Sequence, residues 1–138
     1  MKLTNTQAMK SKSGMTLLEL TVVILVLLSL ISILFIGARA WKKGSDRAAN
    51  ILNIRNVQQA VRAHANVRAM NIADALVSTE IVGTGKYLNS VTSPAPTEIG
   101  YTYGAAVPAI GSLYLIATYT GATAATDYSP DASTYTEW

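Results

Sequence analysis

The chain of 138 residues contains no cysteine. That excludes a disulfide framework, a thiolate metal site and a cysteine nucleophile. Proline is absent before Pro94, so nothing ahead of it forces a helix to break. Proton-transfer chemistry would have to draw on one histidine, His64, and eight acidic residues. No nucleophile motif, phosphate loop, zinc spacing or catalytic carboxylate pair connects them, so the sequence reads as non-enzymatic and implies no cofactor. Aromatic residues are unevenly placed: Phe35 is the single phenylalanine, and all seven tyrosines follow residue 80. Charge is missing altogether from Leu20 to Ala38, and Arg39 ends that run.

What fills the uncharged run is Leu, Val and Ile. Its 19 residues would span about 28 Å as a helix, close to the hydrocarbon thickness of a bilayer. Thr21, Ser29 and Ser32 can bond back to helix carbonyls, so they need not interrupt it. Gly37 is a point where the helix could soften. A single carboxylate, Glu19, sits at the start of the run, and a charge there is by default functional. Ahead of it lies a short basic segment, Lys10-Ser-Lys-Ser-Gly14, followed by Met15-Thr-Leu-Leu-Glu19. A conventional signal peptide would be cut after its apolar region, near small residues. Here the candidate junction precedes the apolar region, so cleavage would leave the membrane helix in the mature chain.

The junction resembles the prepilin processing site of type IV pilins and pseudopilins, over roughly Lys10 to Ile36. The resemblance implies cleavage by a membrane peptidase after Gly14 and methylation of the new amine of Met15. It further implies that Glu19, helped by Thr16, directs filament assembly by pairing with a neighbouring subunit's N-terminal amine. Partners implied are identical or related pilin subunits in a helical homo-oligomer, the prepilin peptidase/methyltransferase, an inner-membrane assembly platform, and membrane lipid before assembly. The precursor would cross the inner membrane once with its head in the periplasm. The mature protein would enter a cell-surface pilus or a periplasmic pseudopilus. Many pilins close a C-terminal loop with a disulfide, which this chain cannot do. A pseudopilin or minor pilin of a type II secretion or DNA-uptake machine is the alternative within the family. A membrane-anchored periplasmic binding module that never polymerises is the alternative outside it.

The organisation expected is a leader over 1–14, a transmembrane or filament-core helix over 15–38, its amphipathic continuation over 39–70, and a small head over 71–138. Removing the leader takes Lys2, Lys10 and Lys12, leaving eight basic against eight acidic residues. The basic balance of the precursor therefore says little about nucleic acid, and no aromatic platform accompanies the arginines. In the continuation, Ile51, Ile54, Val57, Val61, Ala65, Ala69, Ile72 and Leu76 form one stripe at helical spacing. Arg47, Arg55, Arg62 and Arg68 lie off it and read as a solvated face. His64 reads as a solvated or partly packed helix residue.

In the head, Asn71-Ile-Ala-Asp74 could cap a short second helix. Gly83 and Gly85 mark a turn, and Pro94 and Pro96 a loop. Residues 100–103 and 112–120 read as a hairpin joined through residues 107–111. Leu113, Leu115 and Ala117 would face the helix, with Tyr114, Ile116 and Thr118 on the opposite face. The tail from Gly121 reads as a surface loop. Asp127, Asp131 and Glu137 allow a calcium reading there, although their spacing matches no loop motif. The fold class expected is α+β: a long N-terminal helix packed on a small antiparallel sheet, pilin-like.

Overall fold

The computed structural model describes Gly14, residues 16–121 and residues 123–138. The chain divides into two compact units, Met1–Ala38 and Arg39–Trp138. Helix α1, Leu17–Arg68, supplies the described helix of the first unit and continues into the second. No proline interrupts it, and the helix continues through Gly37 and Gly44. Within the first unit Thr21, Ser29 and Ser32 donate to the carbonyls of Leu18, Val26 and Leu28 at 2.7–2.8 Å, as expected of hydroxyls in an apolar helix. Its large apolar side chains from Leu17 to Ile36 are exposed. This segment is long and apolar enough to cross a membrane.

The helix stops at a Schellman turn. Ala69 takes a left-handed φ of 51°, its N–H donates to Asn66 O, and Met70 N–H donates to Ala65 O at 2.9 Å. Met70 then packs on the core, as the residue after such a cap commonly does. Alanine in this conformation is strained by roughly 1–2 kcal/mol relative to glycine. Ala69→Gly is therefore expected to raise the unfolding free energy of the head by about 1 kcal/mol, read by denaturant titration. A drop in stability would mean the turn is not strained.

The expected stripe holds at Ile54, Val57, Val61 and Ala65, which are buried. It fails at Ala69 and Ile72, which are exposed because the helix has already ended. Leu76 rejoins the core from beyond the turn. The second helix expected after Asn71 does not form. Residues 73–76 instead pair with residues 105–107: Ala73 N–H donates to Val107 O, Val107 N–H to Asp74 O, and Leu76 N–H to Ala105 O, each at 2.9 Å. The left-handed φ of Ala73, 72°, turns the chain away from a helical path. Asp74 Oδ2 accepts from Asn71 N–H at 2.6 Å, the reverse of the expected cap. Only a 3-10 turn, Ser78–Glu80, follows.

The sheet consists of β1, Ile99–Tyr103, and β2, Leu115–Tyr119, antiparallel with Tyr101 opposite Ala117. Together with α1 it forms the α+β arrangement expected. At Gly100 in β1 a Cβ would lie 2.7 Å from Thr118 Oγ1, so a larger residue there would have to displace that hydroxyl. β2 is shorter than expected, and the connection correspondingly longer. Gln58 explains this: its Nε2 donates to Ser112 O and its Oε1 accepts from Tyr114 N–H, both at 3.0 Å. These contacts turn the approach to β2 toward the helix. Tyr114 is consequently buried, not on the outer face, and its hydroxyl donates to Leu76 O at 3.0 Å. Tail residues after Gly121 are ordered into α2, Ala124–Tyr128, and a 3-10 turn, Ala132–Thr134. Two apolar clusters hold the head: a main one around Ile54, Val57, Val61, Leu76, Ile81 and Leu115, and a smaller one around Ile99, Ala124 and Tyr128.

Candidate functional site

Four residues carry the processing and assembly expectation: Gly14, Met15, Thr16 and Glu19. Met15 lies outside the described residues. Gly14 is exposed, and a methyl group added there would meet no atom within 4 Å. Its glycine character thus has no packing reason among the described residues. Thr16 and Glu19 are brought together. Thr16 N–H donates to Glu19 Oε2 at 2.8 Å, and Glu19 N–H donates to Thr16 Oγ1 at 3.3 Å. This is a reciprocal capping box, with Thr16 as N-cap and Glu19 at the third helical position. It satisfies backbone donors at the head of a helix that has no earlier turn to supply partners. The carboxylate also complements the positive end of the helix dipole. The signal was present in Thr16-Leu-Leu-Glu19, the Thr-x-x-Glu pattern that precedes an apolar run. The resemblance directs Glu19 to a neighbouring chain, and the capping box gives it a local role as well. The box uses one carboxylate oxygen, Oε2, and leaves Oε1 outside it.

The second unit places the other candidates. His64 is buried more deeply than expected; its Nε2 lies 3.8 Å from Glu80 Oε2 and its ring meets Tyr87 edge-on. The arginines do not form a uniformly solvated face. Arg62 donates to Pro108 O at 2.8 Å and Trp138 O at 3.1 Å, and the Arg55 guanidinium lies 5.7 Å from the Trp138 ring centroid. Both pin the tail against the helix, Arg62 through its forked donors and Arg55 through cation–π attraction.

Amides on the helix hold the sheet in the same way. Asn50, fully buried, accepts from Tyr101 OH at 2.8 Å and donates to Tyr119 OH and Tyr128 O. Asn53 donates to Thr92 O at 2.9 Å and to Tyr101 OH at 3.2 Å. Burial pushes the Tyr101 and Tyr119 phenols above their ordinary range, so they stay neutral. Tyr128 is pushed up to about 12, first by its hydrogen bond to the Glu98 carboxylate and then by burial.

The tail carboxylates have local partners. Asp127 Oδ2 accepts from Lys43 Nζ at 2.7 Å and Thr123 Oγ1 at 3.0 Å; Asp131 Oδ1 accepts from Ser133. Among the described residues, no three His, Asp or Glu side chains gather as a metal site would require. The Lys43 hydrogen bond, followed by that of Thr123, holds the Asp127 carboxyl below its ordinary value, and the same pair raises Lys43. A depressed carboxyl contributes stability above its unfolded pKa and loses it as pH falls through the folded one. Docking of α2 is therefore expected to persist at pH 5 and loosen below about pH 4. Amide exchange of Asp127 and Tyr128 across that range reads it. Unchanged protection at pH 3 would show that the ion pair contributes nothing to docking. Compared with protein-family models, curated proteins and solved structures, the chain matches none of them.

Proposed function

We propose that this chain is a structural subunit of a type IV pilus or pilus-like filament, cut after Gly14 and assembled through α1. What carries the reading is one coincidence: a basic segment ending in Gly14, a carboxylate at Glu19, and an apolar helix on the far side of the junction. The precursor rests in the inner membrane with its head in the periplasm. Cleavage frees the amine of Met15. The apolar helix then leaves lipid and packs among its copies. That exchange is nearly neutral in apolar burial, so packing and polar pairing set the register. Inside such a core an unpaired Glu19 carboxylate would cost several kcal/mol. The methylated amine of an adjacent Met15 offsets this through Oε1, while Oε2 stays in the capping box. The covalent chemistry is done to the chain by its peptidase, and the chain itself needs no cofactor.

The test is mass spectrometry of the N-terminal peptide in sheared surface material and in membranes. An N-methylated Met15 end in sheared filaments supports a pilus subunit. The same end confined to membranes assigns the chain to a pseudopilus or to a minor subunit. An intact leader in both fractions overturns the reading. Gly14→Arg is expected to abolish cleavage, seen as a retained leader on an immunoblot. Normal processing of that variant would remove Gly14 from the site.

The capping box favours a second reading, an anchored module that never polymerises. Glu19 already has a partner within its own chain, so a neighbour is not needed to explain it. That reading predicts an uncut leader and indifference to the charge of Glu19.

A further inference from the structure

A cavity of about 500 Å³ opens between the last turns of α1 and the loop that follows Ser78–Glu80. His64, Val67 and Arg68 line its helix side, and Glu80, Lys86 and Tyr87 line its loop side. Small-ligand sites commonly have about 300–1,000 Å³, so a small molecule fits. The loop wall is held in place. Buried Ile81 anchors it, Gly83 N–H donates to Leu88 O at 2.8 Å, and Leu88 N–H donates to Ile81 O at 3.1 Å. The cavity is therefore shaped before anything enters it, which lowers the cost of binding.

The polar side chains facing it are unspent. Among the described residues, none of His64, Arg68, Glu80, Lys86 and Tyr87 makes a side-chain hydrogen bond. The nearest approach is His64 Nε2 to Glu80 Oε2 at 3.8 Å, too long for one. His64 is only 4% exposed, and a buried ring nitrogen normally has a partner. A hydroxyl placed about 2.8 Å from each group would bond both. Arg68 and Lys86 have no acidic partner among the described residues, so two positive charges border the same space. The Tyr87 ring meets His64 edge-on at 5.7 Å and is itself half exposed, leaving aromatic surface free.

We propose that this cavity binds an acidic sugar, a pyranose that bears a carboxylate. The carboxylate pairs with Arg68 and Lys86, as charge-assisted hydrogen bonds favour. Ring hydroxyls bridge His64 and Glu80, and the C–H face of the sugar lies on Tyr87. A bare oxyanion such as sulfate has no donor for Glu80, and that carboxylate repels it. A divalent cation would find two ligands and be opposed by Arg68 and Lys86. An apolar molecule would leave all five polar groups without partners. A peptide carboxyl terminus meets the charges but brings no hydroxyl to His64 and Glu80. The site lies within the second unit and is independent of the junction at Gly14.

His64 is the single histidine, so its imidazole C–H signals in an NMR spectrum are unambiguous. Full-length chain in detergent micelles is titrated with methyl galacturonide at constant pH and ionic strength. A saturable shift of the His64 signals is expected, with a Kd in the millimolar range. Methyl galactoside, which lacks the charge, should bind at least about tenfold more weakly. Arg68→Gln and Lys86→Gln, both at exposed positions, should each weaken galacturonide binding by about tenfold. Sulfate and acetyl-glycyl-glycine should leave His64 unshifted. Tetragalacturonate is run beside the monosaccharide: tighter binding assigns the natural ligand to a polymer, equal binding to a free or terminal sugar, and both support the site. No shift with tens of millimolar galacturonide overturns the proposal. So does equal affinity for the uncharged galactoside, or a response to galacturonide that neither variant weakens. A matching response to sulfate would reduce the cavity to a general anion site, and one to acetyl-glycyl-glycine would assign it to peptide carboxyl termini; either overturns the sugar.

Discussion

Glu19→Gln is expected to be processed normally and to assemble filaments at less than about a tenth of the wild-type level. Glutamine can replace glutamate in the capping box, because its carbonyl oxygen still accepts from Thr16 N–H. The substitution therefore keeps the helix start and removes only the charge. If Glu19 pairs with a neighbour's amine, that amine is left buried and uncompensated at every subunit contact. Breaking such a pair costs about 3–5 kcal/mol each time. Glu19→Ala is the weaker experiment, since it also loses the cap, worth about 0.5–2 kcal/mol. Shearing followed by quantitative immunoblotting measures both. Near-normal filaments from the glutamine variant would reduce Glu19 to a helix cap and end the pairing argument. Loss of filaments with the leader still attached would instead point to peptidase recognition.

The second large effect is expected at Gln58. Its side chain is 2% exposed and both ends of the amide are used, one on Ser112 O and one on Tyr114 N–H. Leucine has a similar size but can make neither bond. Gln58→Leu would leave a buried N–H and a carbonyl without partners, each at about 1–3 kcal/mol. The expected loss is about 2–5 kcal/mol, a large share of what a small domain possesses. For a head of this size that lowers the unfolding midpoint by at least about 8 °C, measurable by near-ultraviolet circular dichroism of the tyrosines. An unchanged midpoint would show that Ser112 and Tyr114 find water in place of the amide.

Much of the first unit was legible because helical signals there are local. An uncharged run without proline, followed by residues at spacings of three and four, specifies a helix whatever surrounds it. The helix end near residue 69 and both strands follow from equally local patterns. The failures lie where long-range contacts override local preference. Asn71 to Asp74 carries capping residues, yet the backbone of residues 105–107 offers hydrogen bonds that a short helix could not match. Tyr114 alternates onto the outer face only if β2 begins before it, and Gln58, distant in sequence, prevents that. Arg55 and Arg62 look solvated until Trp138 is placed beside them. At the junction around Gly14 the residue types are legible in the sequence, and Thr16-Leu-Leu-Glu19 also fits a capping box, a local role that a partner in another chain does not need.

The contacts that tie α1 to the strands are made by Asn50, Asn53 and Gln58 with phenols and backbone, all uncharged. Neutral hydrogen bonds have no ion atmosphere to compete with, whereas paired charges on a surface weaken as the Debye length shrinks from roughly 30 Å at 0.01 M to 3 Å at 1 M. Dilute freshwater and concentrated brine are therefore nearly the same solvent for the join between helix and sheet. Among the described residues, charged groups act further out, through Lys43 with Asp127 on α2, Lys42 with Asp46, and Arg55 and Arg62 on the tail, so salinity acts on the edge of the head and leaves that join alone.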